Sequence, residues 1–265
     1  MTVPAYPAGR SLLAGKSVVV TAAAGTGIGS AVARRCLEEG ARVLVSDHHE
    51  RRLGETAAKL AAEHGDRVAS AACDVTSEEQ VQALVSTVVE RFGRLDVMIN
   101  NAGLGGTRSV VDMTDEEWSR VLDVTLNGTF RCTRAALRQM VAQAGTGDGG
   151  APGVVVNNAS VVGWRAQAGQ AHYAAAKAGI MALTRCAAMD VAEHGIRVNA
   201  VAPSLAMHPF LAKTTTDDLL AELTRREAFG RAAEPWEVAN VMVFLASDYS
   251  TYLTGEVISV SSQHP

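Results

Sequence analysis

Tyr173 and Lys177 stand four residues apart in the segment YAAAK, and Ser160 lies thirteen positions before the tyrosine. On a helix that spacing puts both side chains on one face, where the ammonium can approach the phenol. A phenol ordinarily titrates near ~10, too high for a base at neutral pH, and a neighbouring positive charge lowers that value by stabilising the phenolate. A tyrosine tuned in this way can move a proton to or from a carbinol oxygen while hydride leaves or reaches the carbon. Ser160 follows an apolar run and can polarise the same oxygen and fix its orientation. Taken alone, a Tyr/Lys pair at this spacing is more often a surface contact, so its meaning depends on the rest of the chain.

A second constellation lies near the start. The run SVVVT leads into AAAGTGIGSA, where Gly25, Gly27 and Gly29, with Ile28 among them, open a helix. Glycines there let backbone N–H groups approach a pyrophosphate at the positive end of the helix. The bland alternative is a tight strand-to-helix turn. Asp47 ends the next apolar run, 18 residues beyond Gly29, where a carboxylate can accept hydrogen bonds from an adenosine ribose. Its bland alternative is a helix cap. A carboxylate at that place repels a 2'-phosphate and favours NAD, with NADP possible because His48, His49 and Arg51 follow directly.

These residues must be carried by an alternating framework. Short β-branched runs at Ser17 to Thr21, Arg42 to Ser46, Val68 to Cys73, Val97 to Asn100, Val154 to Asn158, Arg197 to Val201 and Val257 to Val260 read as strands. Helical stretches fall between them, at Ile28 to Glu39, Glu50 to Glu63, Glu78 to Phe92, Glu116 to Gln143 and Tyr173 to Glu193. The pattern predicts an α/β fold, a single-domain Rossmann-like doubly wound sheet of seven parallel strands with helices on both faces. Residues 1–14 form a flexible N-terminal tail, residues 15–265 the domain, and residues 204–228 a lid over the substrate.

Three further segments, CDVT at Cys73 to Thr76, NNAG at Asn100 to Gly103 and YAAAK with Ser160, occur in order with the glycine loop. Together they resemble the classical branch of the short-chain dehydrogenase/reductase family, over about Leu13 to Val260. The resemblance implies that Asp74 and Val75 meet the adenine, that Asn101, Ala102, Gly103 and Pro203 line the cofactor, and that Tyr173 and Lys177 also contact it, Lys177 at the nicotinamide ribose. Locally, Asp74 could instead cap the helix near Ser77, and NNAG could be a turn. Where the family has an asparagine in DVNLxGTF, this chain has DVTLNGTF, which places Thr125 at the relay position and leaves its catalytic part doubtful. The spellings TAAAGTGIG, NNASVVGWRAQ and APSLAMH are similar to actinobacterial members associated with sterol ring breakdown.

The expected activity is therefore interconversion of a secondary alcohol and a ketone by hydride transfer, on a bulky apolar or alicyclic substrate such as a steroid-derived ring acid or its CoA thioester. An NADPH-dependent 3-oxoacyl-thioester reductase is the alternative, and a dinucleotide-binding sensor the non-enzymatic one. Ser160, Trp164, Gln167, Leu205 and Phe210 are the expected substrate contacts, and Arg108 and Arg165 are candidates for a carboxylate or a CoA phosphate, though solvated surface is the commoner fate of arginine. A net charge of -4 and the lack of a basic run argue against nucleic acid or an anionic membrane as partner. No apolar stretch approaches the ~20 residues needed to span a bilayer, and the N-terminus lacks the marks of a targeting signal, so a cytoplasmic homo-oligomer, tetramer or dimer, is expected. Cys36, Cys73, Cys132 and Cys186 form no close pair and read as reduced core residues, and His172 and His208 as polar lining of the site, with no metal implied.

Overall fold

The computed structural model describes residues 3–145, 151–207 and 217–263. Strands β1 (Ser17–Val20), β2 (Arg42–Asp47), β3 (Val68–Ala72), β4 (Val97–Asn100), β5 (Val154–Asn158), β6 (Arg197–Pro203) and β7 (Val257–Val260) form one sheet in the order β3-β2-β1-β4-β5-β6-β7. Each neighbouring pair is parallel. The connecting helices are α1 (Ile28–Glu38), α2 (Glu50–His64), α3 (Glu78–Phe92), α4 (Asp115–Leu122), α5 (Gly128–Gly145), α6 (Ala171–Asp190), α7 (Asp217–Arg225) and α8 (Pro235–Ala246).

Continuous apolar runs make these strands because both faces of the sheet are covered. Side chains alternate along a strand, so Val18 and Val20 enter a core shared with α1, α2 and α8, while Val19 enters the opposite one with α3 and α5. On β4, Val97 and Ile99 go to the first core and Met98 to the second. The seven-stranded doubly wound sheet is thus the one expected. Its strand order reverses between β1 and β4, which opens a crevice beyond their carboxyl ends.

Three expectations need correction. The stretch Glu116 to Gln143 is not one regular helix, because α4 and α5 are joined by a π-helical turn, Asp123–Asn127. Cys186 is exposed on α6, while Cys36, Cys73 and Cys132 are buried. The N-terminal segment, expected to hang free, is strapped to α1 and α8. Tyr6 donates to Glu38 at 2.6 Å and sets its ring edge-on against Trp236 at 5.4 Å. Glu39 at the end of α1 accepts from the backbone amides of Arg10 and Leu12 and pairs at 2.6 Å with Arg35, which itself donates to the Pro7 carbonyl.

Arg35 and Glu39 are 4% and 1% exposed, so removal of Glu39 leaves the buried guanidinium with Glu38 alone, at 2.8 Å, and takes away the acceptor of the Arg10 and Leu12 amides. Glu39→Ala is expected to cost about 3 kcal/mol in chemical denaturation and to expose the strap to trypsin after Arg10. Unchanged stability and unchanged cleavage would show that the strap carries no load.

Candidate active site

The crevice between β1 and β4 is built by hydrogen bonds that cross it. Thr21, just past β1, accepts at its hydroxyl from the amides of Asn101 and Ala102, at 2.9 and 3.0 Å. The Asn101 carboxamide returns to the Thr21 and Ala22 carbonyls, both at 3.2 Å. NNAG is therefore bolted to the first strand, and is more than a turn. Helix α1 begins at Ile28 with no side chain capping its N-terminus, so its first amides point into the crevice. Gly25 has φ +102°, and a Cβ on Gly29 would stand 2.2 Å from the Ala22 carbonyl oxygen. Neither position tolerates a side chain, and the resulting cradle of bare backbone fits a dinucleotide pyrophosphate.

Asp47 closes the far side. It is 5% exposed, and burial pushes its carboxyl pKa up, with the Ala24 amide pulling the other way. Its oxygens accept from the amides of Ala24 (3.3 Å) and His49 (2.9 Å), tying the end of β2 to the glycine loop. Arg51 is turned away onto Glu55 at 2.7 Å, and Arg52 is 3.9 Å from the Asp47 carboxylate. Asp74 does not cap α3, a task that falls to Ser77. It folds back instead on the Thr76 amide and hydroxyl, and the amide bond holds its carboxyl below the usual range. Val75 is buried against Gly128, where a Cβ would come within 2.6 Å of it.

The π turn aims Thr125 inward, where it is fully buried. Its hydroxyl donates to the Leu104 carbonyl at 3.0 Å and accepts from the Leu104 amide at 2.9 Å. Both capacities are spent on the loop after β4. Gly103 lies between Thr125 and Lys177, and a Cβ there would be 3.6 Å from the Lys177 ammonium and 3.6 Å from the Thr125 methyl. Asn127 bonds Asp123 on another face.

Ser160 directly follows the carboxyl end of β5, and Tyr173 and Lys177 occupy the first turns of α6. The three converge. Lys177 is 3% exposed, donates to the Asn158 carbonyl at 2.5 Å, and lies 5.4 Å from the centre of the Tyr173 ring. Burial pulls the lysine pKa down to about 7. Enclosure of the Tyr173 hydroxyl pushes its pKa up to about 12, opposed by a hydrogen bond from Ser160. The expected depression of the phenol by Lys177 is not what these residues produce by themselves, because desolvation of the hydroxyl outweighs it.

With Lys177 buried behind them, Ser160 and Tyr173 open on a cavity of about 300 Å³. Its floor is Asn158, Ser160 and Tyr173, and its walls include Ile28, Gln167, Pro203 and Leu205. Ser160 donates to the Pro203 carbonyl at 3.4 Å. Trp164, expected on this wall, is 49% exposed and lies outside it, because the turn after Ser160 rotates its ring outward. Arg108 is also remote from the cavity and paired with Glu117 at 3.1 Å, whereas Arg165 lines it. His172 is buried away from the lining, its Nδ1 accepting from the Tyr173 amide at 2.9 Å. Phe210 and His208 lie outside the described residues. Arg226, Leu223 and Gln263 line the cavity without having been expected to. Leu223 and Arg226 fall within the lid range, but nothing in the spelling SSQ marks Gln263.

Fold and cradle together define a dinucleotide-dependent oxidoreductase of Rossmann architecture. A model of a family described as enoyl-(acyl carrier protein) reductase matches residues 22–262, and the chain belongs to the short-chain dehydrogenase/reductase family. It is 65% identical over 262 residues to the (5R,7aS)-5-hydroxy-7a-methyl-1-oxo-2,3,5,6,7,7a-hexahydro-1H-indene-carboxyl-CoA reductase of Mycobacterium tuberculosis, covering 99% of this chain and 98% of that one. The crystal structure of a short chain dehydrogenase from Mycobacterium smegmatis superposes with a TM-score of 0.87 at 58% identity, over 100% and 99% of the two chains. A cis-4-hydroxycyclohexanecarboxylate dehydrogenase of Sinomonas cyclohexanicum is 39% identical over 244 residues, 92% of this chain and 94% of that one.

Thr125 supplies a prediction that separates clamp from relay. Thr125→Val leaves the half-buried Leu104 amide and carbonyl without their side-chain partner and is expected to cost about 1 kcal/mol of stability, with Thr125→Ser close to the parent. Chemical denaturation of the two variants measures the difference; a valine variant as stable as its parent would remove the clamp from the account.

Proposed function

We propose that the chain interconverts a secondary ring alcohol and the corresponding ketone on a bulky alicyclic acid, carried as its CoA thioester and of steroid origin, with NAD preferred to NADP. The observation that carries the reading is the meeting of Ser160 and Tyr173 at the floor of a cavity walled by Ile28, Pro203 and Leu205, with Lys177 buried behind the tyrosine ring. The names of the two curated relatives, one a ring-system CoA thioester and the other a hydroxylated cyclohexane acid, support the substrate class. Asp47 supports NAD, since a buried carboxylate beside the cradle disfavours a second phosphate. Exposed Trp118 on α4 and Phe130 on α5 support the expected homo-oligomer.

When bound, the dinucleotide supplies or accepts the hydride. The residues of the chain manage the oxygen. In oxidation, the alcohol proton passes to the Tyr173 phenolate as the carbon gives up hydride; in reduction, the Tyr173 phenol returns that proton to the carbonyl oxygen. Ser160 holds the same oxygen, and the Leu205 side excludes water from the reacting carbon. Lys177, fixed by the Asn158 carbonyl, contributes positive charge below its pKa of about 7. Asn101, Ala102 and Gly103 hold the nicotinamide half of the cofactor, and Asp74 and Val75 the adenine.

A phenol raised to about 12 is protonated throughout the neutral range and serves as an acid without further tuning. As a base it must first ionise. Alcohol oxidation should therefore accelerate with rising pH across roughly 7 to 10, while ketone reduction, whose acid stays protonated, changes little over the same range; an oxidation rate independent of pH would exclude Tyr173 as the base. Tyr173→Phe should lower kcat by at least about 10²-fold in both directions with the fold intact by circular dichroism. A matrix of both cofactors against ring alcohols, ring ketones, their CoA thioesters and 3-oxoacyl thioesters tests the substrate class. Efficient NADPH-dependent reduction of 3-oxoacyl thioesters, with ring substrates inert, would replace this reading.

A further inference from the structure

Two charged side chains line the cavity, Arg165 and Arg226, and no carboxylate lines it among the described residues. The nearest acid, Glu227, is turned away and only 4% exposed. Its oxygens are taken by neutral donors, namely the Leu205 amide at 3.3 Å, the Ser262 hydroxyl at 2.7 Å and the Gln263 carboxamide at 3.0 Å. Gln263 then accepts at its own oxygen from Arg165 at 2.7 Å. A neutral amide thus stands between the guanidinium and the carboxylate, and Arg165 has no ion-pair partner among the described residues. It is also half-buried, so its charge is screened less than that of a surface arginine. Arg226, just past the end of α7, is held to Glu222, one turn back, which does not line the cavity.

A cavity with two guanidinium groups on its wall and, among the described residues, no carboxylate in its lining and none paired to Arg165, which a neutral amide holds, is suited to an anionic ligand. We infer that Arg165 and Arg226 form an anion subsite of the substrate cavity, taking an oxyanion of carboxylate or phosphate type on the arm of the substrate remote from the reacting carbon. Gln263 is the positioning residue that holds the Arg165 fork in place. A guanidinium donates through several N–H groups in a fixed plane, and one bond to Gln263 leaves the remainder for a bidentate oxyanion. The inference rests on the proposed function only for the position of the reacting carbon at Tyr173. Two sources offer the chemistry: the carboxylate of a free ring acid, and the phosphates of a CoA thioester.

The test compares Arg165→Ala, Arg165→Gln and Arg226→Ala with the parent on one ring substrate in three forms, as the CoA thioester, the free acid and an uncharged N-acetylcysteamine thioester. KM for the CoA thioester should rise about tenfold in each variant, as for loss of one charge-assisted contact, while that for the uncharged thioester changes by less than about threefold. An effect on the CoA form alone assigns the subsite to phosphate; an effect extending to the free acid assigns it to carboxylate. Gln263→Leu should produce a smaller rise with the same selectivity. Equal changes on charged and uncharged forms, or none, overturn the inference. Calorimetric titration of coenzyme A and of the free acid into parent and variants saturated with NAD reads the subsite without turnover. Parent binding of either ligand that weakens tenfold in Arg165→Gln supports the subsite, and a parent that binds neither, or a variant that binds equally, overturns it. If the parent turns over no ring substrate, the functional reading fails while the calorimetry still decides the subsite.

Discussion

The hydrogen bond from the Lys177 ammonium to the Asn158 carbonyl ties helix α6 to the carboxyl end of β5. Asn158 ends β5, and its side chain donates to Asn101, which is itself anchored to β1. Through this chain of amides the helix bearing Tyr173 is referenced to the strand that opens the glycine loop. An ammonium buried with a carbonyl acceptor is costly, and the cost appears in the fall of its pKa towards neutrality. The Asn158 carbonyl at the end of β5 is the acceptor that fixes the lysine in this place.

Desolvation governs the neighbouring tyrosine as well. The same enclosure that lowers Lys177 raises Tyr173, so the pair by itself favours the neutral states of both groups. A proton is then held on the phenol and an amine waits beside it. Charge brought to the cavity, by the cofactor or by protonation of the lysine, shifts that balance toward the phenolate. The site is therefore a poised acid whose conversion to a base depends on what else is bound, and its electrostatics cannot be read from the Tyr/Lys spacing alone.

Much of this was legible in the chain. All seven strands fall within two residues of their expected ends, because runs such as VVV and VLVS are buried on both faces and carry no competing helical periodicity. Ser160, Tyr173 and Lys177 were found because a strand end and a helical turn fix their directions locally. What escaped detection depends on contacts distant in sequence. The π turn arises from how the α4–α5 stretch meets the β4 loop through Thr125, the outward ring of Trp164 from the turn after Ser160, and the strapped N-terminus from a pair on α1 that no local pattern marks. Gln263 is the clearest instance, since its partners Glu227 and Arg165 lie 36 and 98 residues away.

That last contact also sets an order of events. The glycine loop and NNAG face each other once β4 has joined β1, before the elements bearing Asn158, Tyr173 and Lys177 are added. The cavity wall beside Arg165 depends instead on Gln263, 98 residues further along the chain. The nucleotide side of the site is thus built from contacts among the early strands, whereas the substrate side is closed by a contact between residues far apart in the chain.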